Sequence, residues 1–390
     1  MTFEEYIADL NGLAFWKEFT FAQNKFAPQP GKELELADNL IWFGDYACVL
    51  QLKTRGNETT AAETERSWFR KKVLGKAIKQ VRDTLRFLDE HDQIRITNER
   101  GHALDIRRAE LVEITKIVVF LGGRTLPEDC WHTRHYVSRT VGFIHILAAH
   151  DYLGILKTLR VPEDIRRYFT YREEVIPMLG EAGTAIDESD IMGAFLNEED
   201  LPTQESRKHL GRLVQDLEDF DLSWLIGNLH DQIQRSGQPH DYYRIMLEFA
   251  RTPRSVWRQI KLRLMKSLET VRQEEFTGPF RLTFPATDCT FMIMPLDPKI
   301  PATGAEGEKT RRRALENLTY AAMYDAKTSK GIGILISKNG EYFQIDWGLL
   351  NMPWKPDPQM DAKLAENNPF RAVKEKMIDG FLTKVTVETS

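Results

Sequence analysis

Asp38, Gln51 and Lys53 are the residues whose types and spacing best suit chemistry on a phosphodiester. They flank Gly44-Asp45, a pair suited to a tight two-residue turn with glycine first. With that turn Phe43 pairs with Tyr46, Asp38 lies opposite Gln51, and Leu36 lies opposite Lys53. Directly opposed side chains share a face with Cβ atoms about 4.5–5.5 Å apart, and the diagonal pair Asp38–Lys53 falls at roughly 7–8 Å. Mg²⁺ takes hard oxygen ligands at about 2.0–2.1 Å and keeps several waters, so the Asp38 carboxylate and the Gln51 amide oxygen can supply two of its ligands. Such a metal polarises a phosphoryl oxygen and activates water, while Lys53 positions the water or offsets charge on the phosphate. Asp45 is a poor substitute, because it sits in the turn, roughly 20 Å along the strand from Gln51. The same geometry also fits a structural ion pair between Asp38 and Lys53 at a sheet end.

The elements that must hold these residues are short strands and helices. Period-two alternation puts Leu36, Leu40, Trp42, Ala47 and Val49 on the Asp38 face and turns Glu33 and Glu35 to the other. A hairpin apolar on both faces belongs inside a covered sheet. A helix is expected over 2–16 with Thr2 as N-cap, then strands over 18–26 and in the hairpin, with 28–32 a loop. A long helix over Glu63–Glu90 follows, with Leu74, Ala77, Ile78, Val81, Leu85 and Leu88 as its apolar stripe. Strands are expected at 94–97, 102–106 and 113–123.

The string ELADNLIWFGDYACVLQLKTR, with FEEYIADLNGLAF before it, resembles the PD-(D/E)xK nuclease superfamily. Asp38 matches the motif aspartate, and Gln51-Leu52-Lys53 matches the closing triplet. Gln in that triplet is similar to the Mrr-type restriction endonuclease branch. The resemblance covers roughly residues 1–120. It implies a restriction-endonuclease-like αβββα core with a mixed sheet, Asp38, Gln51 and Lys53 as catalytic residues, and Asp38 and Gln51 as metal ligands. Glu4 is then the first match for the acid of the opening helix, with Glu5 and Glu18 as alternatives. Mg²⁺, with Mn²⁺ as a substitute, is the implied cofactor. The change from Glu to Gln removes one negative charge from the metal site.

Residues 66–86 hold eight Lys or Arg against the single acid Asp83. Lys72, Lys76, Lys79 and Arg86 lie away from the apolar stripe and can track a phosphate backbone, although a solvated helix face is the commoner outcome. The resemblance implies that Lys76 or Gln80 on this helix reaches the active site. Cys130, His132 and His135 are close in sequence, yet their spacing fits no common zinc module. Trp347, Trp354 and Tyr342 suit a recognition surface or, more commonly, a core. No Walker loop, Rossmann fingerprint or Gly-x-Ser-x-Gly elbow occurs.

The net charge of −5 excludes nucleic-acid binding by overall charge, so any contact must come from local basic patches. Three cysteines make no disulfide framework, and no secretory or membrane-spanning run is present, so a cytoplasmic setting is expected. The organisation expected is a nuclease-like α/β domain over 1–125, a mainly helical segment over 126–275, with helices at 136–149, 204–219, 223–235 and 255–274, and a C-terminal α/β domain over 276–390. In that last domain 298–309 reads as a flexible loop, 311–324 as a helix, and Asn339-Gly340 as the turn of a hairpin. The expected function is metal-dependent endonuclease action on DNA in preference to RNA, in restriction or defence against phage, by a homodimer or within a complex. The alternative is an inactive nuclease-fold protein that binds nucleic acid or regulates a multi-protein complex.

Overall fold

The computed structural model describes residues 1–370 except 23, 30–31, 57–58, 234–239 and 301–302. The chain is mixed α/β and divides into two units, Met1–Gly211 and Arg212–Ser390. Among the described residues, no helix is long and apolar enough to cross a membrane.

The first unit opens with α1 (Phe3–Ala14), closed at its start by a capping box between Thr2 and Glu5. Then come β1 (Thr20–Ala22), the two-stranded pair β2 (Lys25–Gln29) and β3 (Lys32–Glu35), and the hairpin β4 (Asn39–Phe43) and β5 (Tyr46–Thr54). The helical stretch after β5 has three parts: α2 (Ala62–Trp68), a π-helical stretch (Phe69–Ala77) and α3 (Ile78–Glu90). A small hairpin of β6 (Ile94–Thr97) and β7 (Ala103–Ile106) leads to β8 (Glu113–Leu121). A single turn, α4 (Glu128–Trp131), then precedes β9 (His135–Ser138) and β10 (Gly142–Ala148).

One sheet of six strands, ordered β1-β4-β5-β8-β10-β9, organises the unit. It is antiparallel through β1, β4 and β5, parallel through β5, β8 and β10, and antiparallel again at β9. The helix expected over 136–149 is therefore two strands, and the sheet does not stop near residue 125. Residues 142–148 are apolar at nearly every position, as a parallel strand covered on both faces must be, so they carry no two-fold alternation to set them apart from a buried helix.

The long helix covers one face of the sheet. Val73, Ala77, Ile78 and Val81 pack with Val118 and Phe120 of β8 and with Ile144 and Ile146 of β10. Each such fully buried aliphatic side chain contributes about 1.5–3 kcal/mol. Val73 is buried completely, whereas Leu74, expected in the stripe, is only partly buried. The π-helical stretch shifts the phase of the apolar positions there. On the opposite face, Tyr152 of α5 (Ala149–Leu159) bonds Asn11 of α1 at 2.7 Å, and Asn11 bonds Asn39 of β4 at 3.0 Å. Behind α5 lie α6 (Pro162–Val175) and α7 (Glu188–Leu196), joined by a buried pair in which Arg172 Nε donates to Glu188 at 2.8 Å.

In the second unit, α8 (Leu213–Phe220), the single turns α9 (Ser223–Ile226) and α10 (Leu229–Gln232), α11 (Tyr242–Ala250) and α12 (Arg254–Arg272) precede a sheet ordered β11-β12-β13-β14. Those strands are β11 (Phe280–Phe284), β12 (Cys289–Pro295), β13 (Lys330–Asn339) and β14 (Tyr342–Asn351). The continuous helix expected over 223–235 is two separate turns, with 234–235 outside the described residues. α13 (Gly304–Ala326) starts seven residues before the expected 311, so half of the expected loop, 304–309, is helix. Asn339 pairs with Tyr342, so the turn residues are Gly340 and Glu341, with Gly340 at φ 63°. α14 (Pro358–Glu366) closes the described part.

Candidate active site

The β4–β5 register is the expected one, running from Phe43↔Tyr46 to Asn39↔Leu50. The ladder stops there. Leu36 and Ala37 leave the strand, Asp38 lies in a bend, and the Asp38 carboxylate continues the hydrogen bonding in place of backbone. Asp38 Oδ2 accepts from the Leu52 N–H at 2.6 Å and from Lys53 Nζ at 3.1 Å. Lys53 Nζ also donates to Leu52 O at 2.7 Å. Asp38 thus engages its diagonal neighbour, and its Oδ1 has no protein hydrogen bond among the described residues.

Gln51, two residues before Lys53 on β5, is 2% exposed, and its amide oxygen Oε1 is buried without a hydrogen-bond partner. A second amide oxygen is in the same condition. Gln80 on α3 has Oε1 buried and unpartnered. One turn later on the same helix, the Thr84 hydroxyl donates to Leu36 O, which fixes α3 over the bend that presents Asp38. Buried polar atoms without partners are rare and costly, and these two amide oxygens, on β5 and α3, are both in that condition.

Glu35 lies within electrostatic range of this group. Its carboxyl is raised above the ordinary glutamate range, first by partial burial, then by the negative charges of Asp38 and Glu4, with Lys53 and Lys25 pulling the other way. The alternation counted back from Asp38 fails because β3 ends at Glu35 and two irregular residues intervene. Glu4 is exposed on the first turn of α1, within electrostatic reach of Glu35. Glu5 is occupied in the capping box, and Glu18, 1% exposed, pairs with Arg100 at 2.7 Å. Glu18 also precedes the strand end that pairs toward the Gly44 turn, so it sits at the wrong end of the hairpin. The Glu33 side chain lies outside the described residues.

Lys72, Lys76 and Lys79 are exposed and make no ion pair among the described residues, whereas Arg86 is engaged by Asp83 at 3.0 Å and Glu90 at 3.7 Å. Residues 130–135 do not gather as a metal site: Cys130 is buried in the core and His135 stacks on Phe143. Among the described residues, no group of three or more His, Cys, Asp or Glu is placed to hold a metal, a count that leaves amide oxygens such as that of Gln51 aside. In the second unit Tyr342 is 80% exposed, Trp354 packs on Tyr324, and Trp347 lines a cavity of about 1260 Å³ beside β14 with its indole N–H buried and unpartnered. Arg311 and Asp346 pair at 2.7 Å in the same cavity.

The chain matches no protein-family model, no curated protein and no solved structure.

Proposed function

We propose that the chain is a metal-dependent nuclease that hydrolyses phosphodiester bonds of DNA, built on a restriction-endonuclease-like core of the PD-(D/E)xK kind. The observation that carries this reading is the Asp38–Lys53 pair at the end of a buried hairpin, with the Gln51 amide oxygen sealed beside it and left without a partner. A hairpin end that served only as an ion pair would leave that oxygen unexplained.

The donors fit a hard divalent cation. Asp38 through Oδ1 and Gln51 through Oε1 would hold Mg²⁺, with Mn²⁺ able to substitute, and Glu4 or Glu35 would add charge from the rim. When bound, such an ion polarises a phosphoryl oxygen and lowers the pKa of water. Lys53, held by Asp38 and Leu52 O, presents its remaining proton to the phosphate or to the attacking water. Gln80 supplies a further oxygen or orients a water. Lys72, Lys76 and Lys79 offer charge to the backbone of the duplex. Paired action on both strands suits a homodimer, and restriction or defence against phage suits such an activity.

Incubating the full chain with plasmid DNA and RNA in Mg²⁺ or Mn²⁺ tests the reading. Asp38→Asn and Lys53→Ala should each lower cleavage by about 10²–10³-fold at a temperature where the variant still shows its full folded baseline. Failure of the wild type to cleave any substrate, or full activity of Asp38→Asn, would overturn it.

One observation favours a second reading. Asp38 Oδ2 is already saturated by two donors, and an amide stands where the resemblance places an acid. A nuclease-fold subunit that binds nucleic acid without cutting it accommodates both facts, and DNA binding insensitive to Mg²⁺ and to Asp38→Asn would select it.

A further inference from the structure

Two residues beyond Lys53, the strand face that carries Gln51 and Lys53 presents a third polar side chain, Arg55. Its N–H bonds Leu121 O at 2.9 Å, so the pairing of β5 with β8 still positions it. Its Nε donates to Glu65 Oε1 on α2 at 2.8 Å, and its guanidinium lies 5.9 Å from the centroid of Trp68.

The two halves of this pair are in different surroundings. Glu65 is 0% exposed, and its Oε2 has no hydrogen-bond partner among the described residues. The packing against it is close: a Cβ at Gly123 would stand 3.0 Å from that oxygen. Arg55 is 19% exposed, and only its Nε is bonded, so Nη1 and Nη2 donate to no protein atom among the described residues. Burying a carboxylate fully is costly, and the strongest return would be a bidentate pair using both ends of the guanidinium. The pair forgoes that. It anchors the arginine by its inner nitrogen and leaves Nη1 and Nη2 without a protein acceptor among the described residues.

We propose that Arg55 is a phosphate-binding residue, held by Glu65 and Trp68 so that its outer nitrogens grip the backbone phosphate next to the one presented to Asp38 and Lys53. A planar fork with two free donors matches a phosphate better than any other common group on a nucleic acid. The inference takes its substrate class from the nuclease reading, but it concerns binding and not cleavage.

The test uses the full-length protein and a fluorescein-labelled DNA duplex in EDTA, with anisotropy followed over a range of salt. Arg55→Ala should weaken binding about tenfold, equally for unrelated sequences, and reduce the slope of log K against log salt by about one. Removing Arg55 alone strands the buried Glu65, so the double variant Arg55→Ala/Glu65→Gln is measured beside it. The double variant should recover the melting temperature but not the affinity or the slope. Unchanged affinity and slope in Arg55→Ala, or recovery of both in the double variant, would overturn the proposal and leave a purely structural pair. A wild type that binds DNA through Arg55 but cuts nothing would sink the nuclease reading alone. A wild type that cuts DNA, with binding indifferent to Arg55, would sink this inference alone.

Discussion

Asp38 joins two roles in one carboxylate. One oxygen finishes the hydrogen bonding of a strand and steadies Lys53, and the other accepts no protein hydrogen bond among the described residues. Gln51 is the weak member, because an amide brings an oxygen without a charge. Gln51→Glu should therefore lower the Mg²⁺ concentration for half-maximal cleavage severalfold, and a metal titration of the cleavage rate reads this directly. No such gain, or a loss of cleavage at every Mg²⁺ concentration, would count against Gln51 as a ligand. A second residue-scale effect lies in the first turn of α5. Asp151 is pushed up to about 6 by burial and by the charge of Glu188. Its ordinary value is 3.8, so between that pH and about 6 the folded protein holds a proton that the unfolded chain has released. Stability supplied by that proton is present at low pH and is lost as pH rises through about 6. Asp151→Asn should flatten this part of the stability profile, measured by chemical denaturation across the window.

At the scale of elements, what the residue pattern revealed depended on how local its cause was. The β4–β5 register was readable because a glycine-first turn sets it, and Gly44 does adopt φ 61°. Thr2 as the N-cap of α1 and the approximate limits of α12 were readable from local pattern too. β10 was not, because a strand covered on both faces loses its alternation. Nor could Glu35 be placed, since the two irregular residues before Asp38 undo any count along the strand. The orphaned oxygens of Gln51, Gln80 and Glu65 arise only when distant elements close over them. One close approach makes a sharp test of packing. A Cβ on Gly193 of α7 would stand 2.0 Å from the carbonyl oxygen of Ser206, which is backbone and cannot swing aside. Gly193→Ala should lower unfolding free energy by about 1–3 kcal/mol in denaturant titration. Substitution without loss would mean that α7 sits farther from that segment.

For the molecule as a whole, charge is a local matter. A net charge of −5 gives no general attraction to nucleic acid, so on the proposed reading the exposed lysines of the long helix and Arg55 are the local source of positive charge. The sheet of the first unit runs on to β9, so the elements that support the site extend well past the span of the nuclease resemblance. The second unit has its own sheet between α12 and α13 and its own polar cavity.

The π-helical stretch between α2 and α3 does for this architecture what a slack coupling does between two shafts. Glu65 and Trp68 at one end are indexed by Arg55, and Thr84 at the other is indexed by the bend at Leu36. A uniform α-helix advances about 100° per residue, which would force both alignments to obey one count. The wider coil over Phe69–Ala77 takes up the mismatch. The anchoring of Arg55 and the closure over the bend at Leu36 therefore need not obey one helical count.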